Sequence, residues 1–315
     1  MPSMLNFGCD LQPVDVDYKS IERIAKEAEK LGFDSIWLSD HFYFFDKPAN
    51  TPSYEVWTTL SALASVTSRI RLGTLTLCNP FRYPSLVAKM VSTLDNVSNG
   101  RVEVGIGAGW FKEEFDAYGI PFADAETRIE GLREGIQIMK KMWTEEKATF
   151  KGKYYHIESA YNSPKPMQKP HPPIWVGGGV SSVLRVAAEF ADGWNMGFFY
   201  PSNTPHGLRK KVRQLERYCA EVGRDPKQIR KSLLGEIVMG ETKTDVEGKV
   251  AKFKPADMTM DDYRIGRIIG TPDEVVEQIQ NYAKEGASYF MLRFPQIDTI
   301  EPLKSFAEQV MACLR

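Results

Sequence analysis

The sequence predicts an α/β fold, a (β/α)8 TIM barrel with insertions, from three observations. Short continuous apolar runs alternate with longer amphipathic segments, and the alternation occurs eight times. The turn after the first apolar run reads Asp10-Leu11-Gln12-Pro13, without the glycine-rich fingerprint of an open doubly wound sheet.

The expected strands are residues 5–9, 35–38, 70–75, 102–106, 174–177, 193–196, 233–239 and 289–293, each too continuously apolar to be half exposed. Helical spacing fills residues 18–31, 54–67, 84–97, 128–143, 183–190, 207–222, 273–285 and 299–314. Boundary chemistry agrees: Gly32 and Gly100 follow helix ends, Pro84 opens a helix, and Thr271-Pro272-Asp273-Glu274 reads as an N-cap with an acidic first turn. Three long connections, 109–127, 144–173 and 241–270, are expected to build or roof a site, the second carrying a strand near 148–157. The chain, 1–315, is expected to form one domain of this kind.

Composition narrows the function classes. With 43% hydrophobic and 26% charged residues the chain can bury a large core, which excludes global disorder. A formal net charge of -1 gives no field to attract nucleic acid or anionic lipid. The start, Met1-Pro2-Ser3-Met4, has no basic and apolar leader pattern, and no apolar stretch is long enough to span a bilayer, so a cytoplasmic location is expected. Cys9, Cys78, Cys219 and Cys313 are scattered, as are His41, His156, His171 and His206, so neither a disulfide framework nor a metal site is expected.

Four clusters can carry chemistry. In Trp37-Leu38-Ser39-Asp40-His41 an apolar strand ends in an acid and an imidazole, followed by the aromatic run Phe42-Tyr43-Phe44-Phe45. Side chains at a strand's C-terminal end face the barrel mouth, where His41 can exchange a proton and Asp40 can bond a cofactor ring or fix the imidazole. A capped surface histidine would read the same. In Gly105-Ile106-Gly107-Ala108-Gly109-Trp110 the glycines let backbone approach a flat ring or phosphoryl group, or simply make a tight turn. Three glycines, Gly177, Gly178 and Gly179, join a strand to a helix whose free amides and dipole suit phosphate. The stretch Leu75-Thr76-Leu77-Cys78-Asn79-Pro80-Phe81-Arg82 carries polar and aromatic groups whose spacing leaves the role of Arg82 open.

Together these segments resemble the bacterial luciferase-like monooxygenase superfamily, above all its branch that uses the deazaflavin coenzyme F420. Ser39-Asp40-His41, the run from Gly105 to Phe115, Gly119-Ile120-Pro121-Phe122 and Pro164-Lys165-Pro166 leading to Pro172-Pro173-Ile174-Trp175-Val176-Gly177-Gly178 carry the likeness over nearly the whole chain. The resemblance implies an oxidoreductase that passes a hydride between coenzyme F420 and a small substrate, with His41 catalytic. It implies a cofactor bound by Asp40, Leu75, Thr76, Asn79, Gly107, Ala108, Gly109, Gly177, Gly178 and Gly179, with a non-prolyl cis peptide at Leu75–Thr76. The alternative within the family is an FMN-dependent monooxygenase using reduced flavin and oxygen; a silent cofactor-binding barrel is a third reading, against which Asp40-His41 argue.

Relatives that oxidise a sugar phosphate place a glutamate near Trp110 and basic residues after the sixth strand. Here that stretch reads Asn195-Met196-Gly197-Phe198-Phe199-Tyr200, which argues for a flat or apolar substrate lined by Phe42 to Phe45, Trp110 and Phe198 to Tyr200. Family members pair through helices beside strands two and three, so a homodimer is expected, with Val56, Trp57, Leu60, Leu63 and Ala64 as the stripe that either pairs or packs inward.

Overall fold

The computed structural model describes residues 5–45, 47–197, 203–295 and 299–315. Eight parallel strands close on themselves: β1 (Asn6–Leu11), β2 (Ser35–Leu38), β3 (Arg71–Thr74), β4 (Val102–Gly107), β5 (Ile174–Gly177), β6 (Gly193–Met196), β7 (Arg230–Met239) and β8 (Tyr289–Arg293). Each strand pairs with its neighbours in chain order, and closure is made by β8 on β1, with Asn6 opposite Tyr289 and Asp10 opposite Arg293. The chain is a TIM barrel. Every expected strand and helix is present; the last helix is interrupted by a π segment at Ala307–Met311.

The barrel is plugged by size alternation. Trp37 on β2 and Trp175 on β5 are fully buried inside it, edge to face at 5.8 Å, with Tyr289 of β8 against both. Their neighbours are glycines: a Cβ on Gly73 would stand 2.3 Å from Trp37, and one on Gly193 2.1 Å from Trp175. Each tryptophan thus lies over a glycine of the next strand, so adjacent strands supply bulk and space. Below it, the buried Glu103 accepts from the Trp175 indole and from Arg71 and Arg230. Outside, the apolar faces of the helices complete the main core; Val56, Trp57, Leu60, Leu63 and Ala64 belong to it and are buried.

Two connections differ from expectation. Residues 148–157 are not one strand but parts of an antiparallel hairpin, Lys147–Lys151 with His156–Tyr161, because Glu134 accepts from the amides of Lys153, Tyr154 and Tyr155 and bends the chain between them. This insert follows a helix rather than a strand, and it contributes no lining to the cavity described below among the described residues. The 241–270 connection has its own helices, Lys243–Phe253 and Met260–Arg264, a strand Arg267–Gly270 on β7, and a small core of Val238, Tyr263 and Ile269.

Candidate active site

At the C-terminal ends of the strands lies a cavity of about 400 Å³. Going round the barrel, Gln12, Asp40, His41, Leu75, Thr76, Gly107, Gly177, Asn195 and Arg293 come from the C-terminal ends of strands or the loops after them, and Leu234 from the middle of β7. The acid-imidazole pair after β2 and the glycines after β5 therefore face one space.

His41 is held by a residue 73 positions away. Its Nδ1 lies 2.9 Å from Glu114 Oε2, while the other carboxylate oxygen accepts from the Phe42 amide. Glu114 is 1% exposed. It sits on the short helix Lys112–Ala117 that follows β4, and this helix is anchored by the buried Phe115, whose ring packs on Phe81 and Phe122, both at 4.9 Å. An ionised carboxylate only accepts, so Nδ1 donates and Nε2 is the nitrogen left for the cavity.

Asp40 does not fix the imidazole. Its carboxylate, 3% exposed, takes two bonds from Arg82 at 2.7 and 3.0 Å and one from the Cys78 amide at 3.0 Å. Burial pushes the Asp40 carboxyl above its ordinary value, against the Arg82 guanidinium and the Cys78 amide, which pull it down. Arg82 also reaches Glu55 at 2.7 Å, which settles the role its spacing left open. Burial likewise pushes the Cys78 thiol up, so it is a protonated wall group.

The wall between β3 and β5 is almost bare backbone. The Leu75–Thr76 peptide is cis. Five residues, Gly73 to Leu77, span what four span on β4, Glu103 to Ile106, so the chain bulges there. A Cβ on Gly177 would lie 2.7 Å from Thr76 Cγ2, and one on Gly107 3.0 Å from Thr76 Oγ1. Gly109 has φ +79°, and a Cβ there would meet Cys78 and Phe115 at 2.7 and 2.9 Å. The absence of a Cβ at Gly107 and Gly177 lets Thr76 pack against both strands, and the low shelf of Thr76, Gly107, Ala108 and Gly177 fits a flat ring. Beyond Gly177 and Gly178 the helix Ser181–Phe190 starts with no side-chain cap, leaving first-turn amides for an anion. Gly179 is buried beneath this turn and does not line the cavity. Asn79 is turned away, donating to Tyr155 Oη at 3.1 Å and facing Gly135, so it stands outside the cavity.

Aromatic groups form the mouth. Phe44, Phe45, Trp110 and Phe111 line it, with Phe45 and Trp110 in contact at 5.1 Å. Phe42 is not part of it, because it is stacked between Phe81 and Tyr118 at 4.6 and 4.1 Å. Phe198, Phe199 and Tyr200 lie outside the described residues.

Sequence reasoning missed the role of Glu114, although it lies within the motif that carries the resemblance. The short helix has no periodic signal of its own, and the carboxylate meets the imidazole only through tertiary folding. Trp110 stands where sugar-phosphate oxidisers were expected to have a glutamate, yet Glu114, one helical turn later, supplies a carboxylate to the histidine.

The chain is similar to known proteins over most of its length. The model of the luciferase-like monooxygenase family matches residues 7–264. An F420-dependent glucose-6-phosphate dehydrogenase from Kineococcus radiotolerans is 29% identical, covering 96% of this chain and 98% of the relative. An FMNH2-dependent dimethylsulfone monooxygenase from Pseudomonas putida is 26% identical over 96% of this chain and 88% of its own. Among solved structures, an F420-dependent secondary alcohol dehydrogenase superposes with a TM-score of 0.83 at 23% identity, covering 99% of each chain. A match spanning most of the barrel, on a chain that presents its imidazole and its glycine shelf to one cavity, places this protein in the luciferase-like monooxygenase family.

Proposed function

We propose that the protein is an oxidoreductase that binds coenzyme F420 and exchanges a hydride with a small, flat or apolar substrate. The observation that carries this reading is the buried Glu114 holding His41 at 2.9 Å on the wall of a cavity whose adjoining arc is bare backbone. When bound, the deazaflavin supplies two-electron hydride chemistry. The chain supplies the rest. Leu75, Thr76, Gly107, Ala108 and Gly109 back the ring, and Asp40 with Arg82 and the Cys78 amide holds the loop that follows Thr76. Gly177 and Gly178 lead the side chain of the cofactor to the free amides of the next helix. Glu114 positions His41, whose Nε2 gives or takes the proton that accompanies hydride movement at the substrate. Phe44, Phe45, Trp110 and Phe111 exclude water from the mouth and favour an apolar or aromatic partner.

The second reading, an FMN-dependent monooxygenase on the same frame, is supported by the FMNH2-dependent relative. Titration separates the two. Apoprotein that quenches deazaflavin fluorescence and ignores FMN supports the first; the reverse result removes it.

The molecule is further proposed to act in the cytoplasm as a homodimer. Among the described residues no helix is long and apolar enough to cross a membrane. The stripe on the helix Val56–Val66 packs inward and cannot pair, whereas its neighbour Pro84–Val97 exposes Leu86 and Val97, each more than half accessible. Solution scattering that returns a monomer mass would refute the dimer.

A further inference from the structure

The nearly bare wall of the cavity runs from β3 to β5, and the arc facing it carries polar side chains from β8 and β1. Arg293 at the end of β8 and Gln12 just after β1 both line the cavity. The fully buried side chain of Asp10 holds Arg293, its Oδ2 lying 2.9 Å from Nε and 2.8 Å from Nη2. On the neighbouring β7, Glu236 pairs with Arg267 at 2.8 Å. The charges of this arc therefore cancel in pairs, and what it offers a ligand is polarity without net charge.

The ion pair also decides which way Gln12 points. A guanidinium carries N–H donors and no acceptor, so an amide nitrogen turned toward it would set donor against donor. Gln12 Oε1 accordingly accepts from Arg293, 2.9 Å from Nη1 and again from Nη2, in the amide orientation that satisfies both groups. Nε2, with two N–H donors, is then the end of this half-buried side chain that faces the cavity.

Strand order says what meets it. β1 is hydrogen-bonded to β2, whose loop carries His41, and in the closed barrel it stands across from β5 at the far end of the ring shelf. A substrate lying between a ring on that shelf and the opposite arc, with its reacting group at His41 Nε2, reaches Gln12 on the next strand. We infer that Gln12 is a specificity-determining residue whose Nε2 donates to a neutral carbonyl oxygen of the substrate, with Arg293 and Asp10 as the residues that position it. A carboxylate is disfavoured there, because Asp10 already cancels the charge of Arg293 and a carboxylate costs more than a carbonyl to strip of water. Resting on the oxidoreductase reading above, this names the group that its apolar substrate carries: a ketone, aldehyde or amide oxygen.

Fluorine NMR titration of the full chain tests it with three flat probes of one shape: para-fluoroacetophenone, its alkene isostere para-fluoro-α-methylstyrene, and para-fluorobenzoate. The titrations are run without cofactor and with coenzyme F420 or FMN, whichever the protein takes. Wild type should bind the ketone more tightly than the benzoate. Q12L, which removes the donor, should weaken the ketone by about 3- to 10-fold, the effect of one neutral hydrogen bond, and leave the alkene no weaker. Q12E keeps the size and the bond from Arg293 but turns the donor into an acceptor, so it should weaken the ketone at least as much. Alkene binding at the wild-type level shows that the cavity of each variant is intact. Equal losses for ketone and alkene, a Q12E that binds the ketone like wild type, or a wild type that binds the benzoate as tightly as the ketone overturns the assignment. A wild type that ignores coenzyme F420 sinks the cofactor reading alone, because the probes still report on Gln12 in the open cavity. A wild type that binds none of the probes in any of these forms overturns the assignment whatever cofactor it takes.

Discussion

Replacing Arg82 with methionine removes a cation from a carboxylate that water cannot reach. Three charge-assisted bonds disappear, two to Asp40 at 2.7 and 3.0 Å and one to Glu55 at 2.7 Å. The Glu55 bond counts little, since that side chain is 37% exposed and screened. The Asp40 bonds dominate, because its side chain is 2% exposed and would keep only the Cys78 amide. Breaking a buried pair on one side costs about 3–5 kcal/mol. With an unfolding entropy of ~2.1 cal/mol/K per residue over 315 residues, Tm should fall by roughly 5–8 °C.

The penalty must also depend on pH. The Asp40 carboxyl is already raised in the native state, and losing Arg82 raises it further. The folded protein then holds a proton that the unfolded chain has released, so stability falls as pH rises through the window above the ordinary carboxylate value. Urea denaturation of wild type and R82M between mildly acidic and mildly alkaline pH should show the gap widening toward the alkaline end. Adding D40N to R82M should recover much of the loss by removing the stranded charge. A penalty below about 1 kcal/mol, one that does not vary with pH, or a double variant no better than the single one would refute the reasoning.

Further predictions concern the shelf, the histidine and the barrel interior. Glu114→Gln should lower turnover by about 10- to 100-fold while cofactor affinity and substrate KM stay close to wild type, as steady-state kinetics with a titration will show. Gly177→Ala should push Thr76 out of place, since the new Cβ would sit 2.7 Å from its Cγ2; calorimetric titration should find cofactor binding weakened far more than Tm is lowered. Gly193→Ala should do the opposite, destabilising by at least about 1–3 kcal/mol in urea because a methyl 2.1 Å from the Trp175 ring cannot be accommodated without moving the packed layer.

Much of this was visible in one dimension. Eight apolar runs of strand length, separated by amphipathic helices with recognisable caps, specify a closed barrel because a parallel sheet needs helices on its outer face and every strand needs two partners. The position of His41 was legible for the same reason: a polar pair directly after an apolar strand must emerge at the mouth. The glycines after β4 and β5 were legible because backbone without side chains has few other uses there.

What folding alone decided are the relations between residues far apart in the chain. Glu114 reaches His41 across 73 positions, and Arg82 reaches Asp40 across 42, because strand ends that are distant in sequence converge on one rim. Local patterning records which face of an element is apolar; it carries no record of which carboxylate a buried imidazole or guanidinium will meet. Pairing of charges is set by closure of the barrel. The amino-acid order determined the barrel and its mouth, since burial periodicity is a local property. The tertiary structure determined the partners of every ionisable group in that mouth, since electrostatics acts through space.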